Sequence, residues 1–118
     1  MKLITAVVRP EKLDELILSL INHGVRGVTV TDVRGFGQQY GRLAGTATRV
    51  AGRPGEHMAV LLAKVRLDLV VLDDDAETIV EAIANHARTE TIGDGKIWVT
   101  PVDSALRVRT GERDRAAV

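Results

Sequence analysis

Cysteine is absent from the 118 residues, and tryptophan, tyrosine and phenylalanine occur once each. Without thiols there is no disulfide framework, iron–sulfur cluster or thiolate zinc site to build. So few aromatic rings disfavour the base-stacking modes that hold single-stranded nucleic acid. Charge of one sign is lacking too. Sixteen Lys and Arg balance sixteen Asp and Glu, so no global field draws the chain to nucleic acid or anionic lipid. No apolar run reaches the roughly 20 residues of a membrane-spanning helix, and Met1-Lys2-Leu3 does not open a signal peptide. The expectation is a cytoplasmic protein with no nucleic-acid partner and no direct membrane insertion. The length suits one domain over 1–118, and the 45% hydrophobic content is that of a globular chain.

What is present is periodic. Leu3 to Val8 reads as a strand closed by Arg9-Pro10, since proline ends a central strand and suits a helix start. Leu13, Leu16, Ile17, Leu20 and Ile21 form the stripe of an amphipathic helix that stops at His23-Gly24. Val28 to Val33 is rich in β-branched residues and reads as a second strand within Val25 to Gly35. Residues 36 to 57 hold five glycines, Pro54 and no hydrophobic periodicity, so a long functional loop is expected there. Met58 to Leu72 reads as a long strand, in which Lys64 to Leu69 alternates polar and apolar residues. Asp73, Asp74 and Asp75 stand as helix-capping carboxylates before a stripe of Ala76, Ile79, Val80, Ile83, Ala84 and Ala87. Lys96 to Val99 is a last strand, and Leu106 to Val108 a short edge strand. The order β-α-β, long loop, β-α-β predicts an α+β ferredoxin-like sandwich, with both helices on one sheet face. Too little chain remains to cover the other face, so self-association through it is expected.

The strongest local signal for chemistry is Ile92-Gly93-Asp94-Gly95-Lys96 before the last strand. Two glycines let the backbone approach a ligand and Lys96 adds a cation, the composition of a phosphate cradle. The same residues also suit an Asp-Gly hairpin turn. Arg107 and Arg109, spaced i, i+2 on an extended segment, would project from one face and could fork onto phosphate oxygens, or serve as a solvated basic edge. Gly35-Phe36-Gly37 with Gly41 lacks the spacing and the following helix of a dinucleotide fingerprint. His23, His57 and His86 show no ligand spacing, and Ser19 and Ser104 no nucleophile context. An acylphosphatase reading could place Arg9 after the first strand, but Val7-Val8-Arg9-Pro10 lacks the glycines of that cradle. No enzymatic activity is expected.

Met1 to Pro10, Gly27-Val28-Thr29-Val30-Thr31, Gly35-Phe36-Gly37, Ile92-Gly93-Asp94-Gly95-Lys96-Ile97 and Arg107-Val108-Arg109-Thr110-Gly111-Glu112 together resemble the PII signal-transduction proteins. The likeness covers nearly the whole chain outside residues 42–62. It implies a ferredoxin-like homotrimer with a T-loop at about 36–57, a B-loop at about 88–95 and a C-terminal loop at about 106–118. ATP and ADP would compete for clefts between subunits, and 2-oxoglutarate would bind beside Mg-ATP at the T-loop base. Gly93, Asp94, Gly95 and Lys96 would hold phosphates, with Thr89 beside them, and Arg107 and Arg109 would reach in from the neighbouring chain. Val7, Thr29, Gly35, Asp68 and Val70 would border adenine and ribose. Gly37 and Gln38 would also contact the nucleotide, and Gly37 and Gln39 would stand at the T-loop base, with Gln39 as the Mg ligand. Tyr40, Gly41 and Lys64 would complete the 2-oxoglutarate site. The implied targets are an ammonium channel, a transporter, a metabolic enzyme or a transcription factor, controlled through T-loop conformation.

This chain departs from the family pattern at several points. Tyr40, the only tyrosine, lies at the loop base, so the tyrosine modified in the family has no counterpart. Gln38 stands where arginine is frequent, Ala63 where proline is expected, and Thr89-Glu90-Thr91 where Thr-Gly-Lys is common. The rewritten loop leaves open a second reading: a PII-like paralogue that senses adenylates, with bicarbonate, for a carbon-metabolism or transport partner.

Overall fold

A computed structural model describes residues 1–37, 47–50 and 59–118. Strand β1 (Lys2–Val8) leads through a 3-10 turn (Pro10–Lys12) into helix α1 (Leu13–Asn22). Strand β2 (Thr29–Gly35), the short β3 (Ala47–Val50) and the long β4 (Ala59–Val71) follow. Helix α2 (Asp73–Ala87) and strand β5 (Gly95–Pro101) close the fold, and a 3-10 turn (Asp114–Ala117) ends it. The sheet is antiparallel in the order β2-β4-β1-β5, with β3 added to β4. The chain has an α+β ferredoxin-like fold, as its periodicity predicts.

Pleating gives the sheet two different faces. Ile4, Ala6 and Val8 of β1 join Val65, Leu67, Leu69 and Val71 of β4 under the two helices. Leu16 and Leu20 of α1, with Ile79, Ile83 and Ala87 of α2, complete this dry layer. The stripes on α1 and α2 therefore face the core as their spacing requires. Gly24, at φ 79°, takes the left-handed conformation that ends α1.

The opposite face carries cross-strand rows that neither α1 nor α2 covers. Thr29, Asp68, Thr5 and Trp98 pair across β2, β4, β1 and β5 in one row. Thr31, Arg66, Val7 and Lys96 form the next. Thr5 Oγ1 donates to Asp68 Oδ1 at 2.8 Å, and Arg66 Nε donates to Asp68 Oδ2 at 2.9 Å. The Arg66 guanidinium also lies 6.0 Å from the centre of the Trp98 ring, which stays 40% exposed.

Three local expectations need correction. The segment 36–57 is not wholly without regular structure: Ala47–Val50 pairs with the projecting start of β4, from Ala47↔Leu62 to Val50↔Ala59. A strand lacking periodicity of its own can form because β4 extends past β1 and offers free backbone groups. The cap of α2 is Leu72 without a side-chain hydrogen bond, and the three aspartates occupy the first turn instead. There they still favour the positive helix end, while Asp73 lies 2.7 Å from the Met1 amino group. Finally, Leu106–Val108 is no edge strand. Leu106 bridges to Arg113, and the chain turns between them.

Candidate functional site

The residues after α2 build a loop whose backbone is unusual at three points. Glu90, Gly93 and Gly95 have φ of 64°, 104° and 106°. Glycine reaches this region freely, whereas a side-chain residue such as Glu90 does not. Gly95 is required on a second ground, because a Cβ there would collide with the carbonyl of Val7. The glycine turn is thus pressed against β1, the close approach that its sequence suggests.

Asp94 is the hub of this loop. Its Oδ2 accepts the backbone N–H of Thr89 at 2.7 Å and that of Glu90 at 2.8 Å. Its Oδ1 accepts from the Thr89 hydroxyl and from Arg9 Nε, the latter at 3.2 Å. Burial opposes its charge, yet the bonds from Thr89, Arg9 and Glu90 prevail and hold the carboxyl well below the ordinary carboxylate range. Lys64, on β4, donates to the Gly93 carbonyl. Burial, reinforced by the neighbouring Arg9 charge, lowers its pKa from the usual lysine value.

Val7, Gly35, Gly37, Lys64, Gly93, Asp94, Gly95 and Lys96 line one cavity of about 540 Å³, with Phe36, Thr91 and Ile92. That volume lies within the range of small-ligand sites. Eight of the residues expected at the site are therefore brought together. The Lys96 side chain makes no hydrogen bond or ion pair among the described residues, which leaves a cation on the cavity wall. A glycine cradle, one such ammonium and backbone N–H groups suit a polyphosphate. Asp94 lines the cavity too, but both its oxygens are engaged within the loop, as is the Thr89 hydroxyl.

Within one chain, Val70 and Arg107 lie apart from these residues. They line a second cavity of about 600 Å³ with Arg26, Arg115, His23 and Gly27. Thr29 and Asp68 sit in the uncovered sheet row, where the Arg66 hydrogen bond, with help from Thr5, lowers the Asp68 pKa. Arg107 and Arg109 do not share the face of an extended strand. Gly111, at φ 74°, returns its N–H to the Arg107 carbonyl at 2.8 Å and makes the segment a tight turn. Arg107 also lies 3.5 Å from Glu112. Gln38, Gln39, Tyr40, Gly41 and His57 fall outside the described residues. Sequence reasoning gave no ligand role to Arg9 or Phe36, and it named Thr91 and Ile92 only as parts of the loop and the glycine-turn motif. Only the position of Arg9 at the end of a strand hinted at a role.

A ferredoxin-like domain with a lysine-bearing glycine turn beside a cavity at its sheet end has the geometry to hold a small anion. The comparisons make this specific. The chain belongs to the nitrogen regulatory protein P-II family, whose match spans residues 1–112. It is 42% identical over 118 residues to a nitrogen regulatory protein P-II of Synechocystis sp., covering all of both chains. It is 43% identical, again over the full length of both, to proteins of that name from Cereibacter sphaeroides and Klebsiella oxytoca. Membership implies a role in signal transduction. No described helix is long and apolar enough to cross a membrane.

Proposed function

We propose that this protein senses ATP and ADP in clefts between the subunits of a homotrimer and passes the result to a target protein through the segment 36–57. The observation that carries the reading is the single cavity shared by Val7, Gly35, Lys64, Gly93, Gly95 and Lys96. A second observation supports the subunit boundary. Arg107 and Val70 open onto a different cavity of the same chain, so a neighbouring copy would have to bring them to the nucleotide. The uncovered sheet face, with Trp98 and Val70 partly exposed, offers a surface for that neighbour.

In this reading Gly93, Gly95 and Lys96 hold phosphates while Arg107 and Arg109 arrive from the adjacent tail. Lys64 takes the carboxylate of 2-oxoglutarate, and Mg accompanies ATP. Bound with ATP, the metal would neutralise phosphate charge. A ligand shifts the loop only as far as its affinity differs between loop conformations, and the γ-phosphate with Mg is the natural source of that difference. The target is a channel, transporter or metabolic enzyme of nitrogen metabolism.

Calorimetric titration with ATP and ADP, with and without Mg and 2-oxoglutarate, tests the reading. Lys96→Ala is expected to weaken ATP binding by roughly 2 kcal/mol, or about 30-fold, as for a charge-assisted contact. An unchanged affinity would remove the nucleotide reading. Loss of synergy between ATP and 2-oxoglutarate would leave the adenylate reading and favour bicarbonate as the second ligand.

A further inference from the structure

Arg9 stands just beyond β1, where Pro10 turns the chain, and has no place among the residues that line the cavity. Its guanidinium nevertheless reaches a loop more than eighty residues away. Nε donates to Asp94 Oδ1 at 3.2 Å, and Nη2 to Thr91 Oγ1 at 2.9 Å and to the Ile92 carbonyl at 2.8 Å. The Arg9 and Asp94 side chains are 20% and 22% exposed, so water screens the pair less than it screens a surface pair. One planar fork thus meets three acceptors spread over four residues, a geometry a lysine ammonium does not span. From the adjacent strand Lys64 grips the same loop at the Gly93 carbonyl. The loop needs such ties. Its pose includes Glu90 in the left-handed region at φ 64°, which is unfavourable by about 1 kcal/mol or more for a side-chain residue. All of residues 88–92 are exposed, so burial does not hold it.

We propose that Arg9 is a positioning residue for phosphate capture. It fixes the loop in the pose where Gly93, Gly95 and Lys96 line the cavity, without touching the ligand. The inference rests on the nucleotide reading above. It assigns the preorganisation of the anion loop to a cation at the end of the first strand, carried through Asp94 and Thr91. Holding the loop before binding lowers the ordering cost that a phosphate would otherwise meet.

The test compares Arg9→Met, Arg9→Lys and Lys96→Ala in the full chain, by ATP titration and by amide hydrogen exchange of residues 89–96. Arg9→Met is expected to weaken ATP binding about tenfold or more and to speed exchange at the Thr89 and Glu90 amides, with β1 and β4 amides unchanged. Arg9→Lys restores the charge but not the fork, so it should recover only part of the affinity. Full recovery by lysine would mean that charge alone matters and would overturn the inference. So would normal ATP affinity or unchanged loop exchange in Arg9→Met while Lys96→Ala loses binding. If the unsubstituted protein binds no ATP, the nucleotide reading fails first and this inference with it.

Discussion

The helix-covered side of the sheet and the loop at residues 88–96 are held by opposite means. Under the helices, Ile4, Leu16, Leu67 and Ile83 are fully buried and make a layer that needs no charge. In the loop every side chain but that of Asp94 is exposed or absent, and order comes from directional bonds to one carboxylate, one guanidinium and the Lys64 ammonium. The first arrangement holds no titratable side chain, so pH changes it little. The second is specific in geometry and responds to whatever competes for its cations. A binding loop drawn from the less stable part of a fold can answer to a ligand without endangering the rest.

Substitutions can break this contrast or sharpen it. The largest effect is expected from Leu67→Ala in the dry layer. Removing a fully buried leucine should destabilise the protein by about 3 kcal/mol in chemical denaturation, with little change between pH 5 and 8. Gly95→Ala comes next. Its left-handed φ and the collision with the Val7 carbonyl should lower stability by about 2 kcal/mol and abolish tight ATP binding. A binding isotherm like that of the unsubstituted protein would show that the turn relaxes freely.

Asp94→Asn separates the two regions by pH. The Asp94 carboxyl titrates below its unfolded value of about 4. Its contribution to stability is therefore complete above pH 4 and lost as pH falls through the folded value. Stability measured from pH 7 downwards should fall less steeply in the asparagine variant. Parallel curves would remove the carboxylate from the account. The smallest effect is expected at Glu90, where Glu90→Gly should relieve the left-handed strain and raise stability by up to about 1 kcal/mol. A decrease would show that the Glu90 side chain makes a compensating interaction.

Much of the fold was legible because burial writes a period into the sequence. The stripes of α1 and α2 and the runs of β1 and β5 give their elements directly. The Gly93-Asp94-Gly95-Lys96 turn was legible because glycine pairs are rarely placed without a backbone reason, here the contact with Val7. Strand β3 was not legible, since its partner residues Ala59–Leu62 rather than its own pattern determine it. The turn at Arg107–Gly111 was hidden because Arg-x-Arg reads as extended until the left-handed Gly111 closes the hydrogen bond. The part played by Arg9 depends on Thr91, Ile92 and Asp94, whose proximity only the assembled sheet creates.

The central claim is that two copies of the chain complete one phosphate site, the loop of one meeting the tail of the next. Co-assembly of Lys96→Ala chains with Arg107→Ala chains tests it most directly, by ATP titration of the mixed oligomer. The account predicts that neither variant binds ATP tightly alone, while the mixture regains a fraction of tight sites where an intact loop faces an intact tail. A mixed oligomer with no regained sites, or a chain that stays monomeric yet binds ATP tightly, would contradict it.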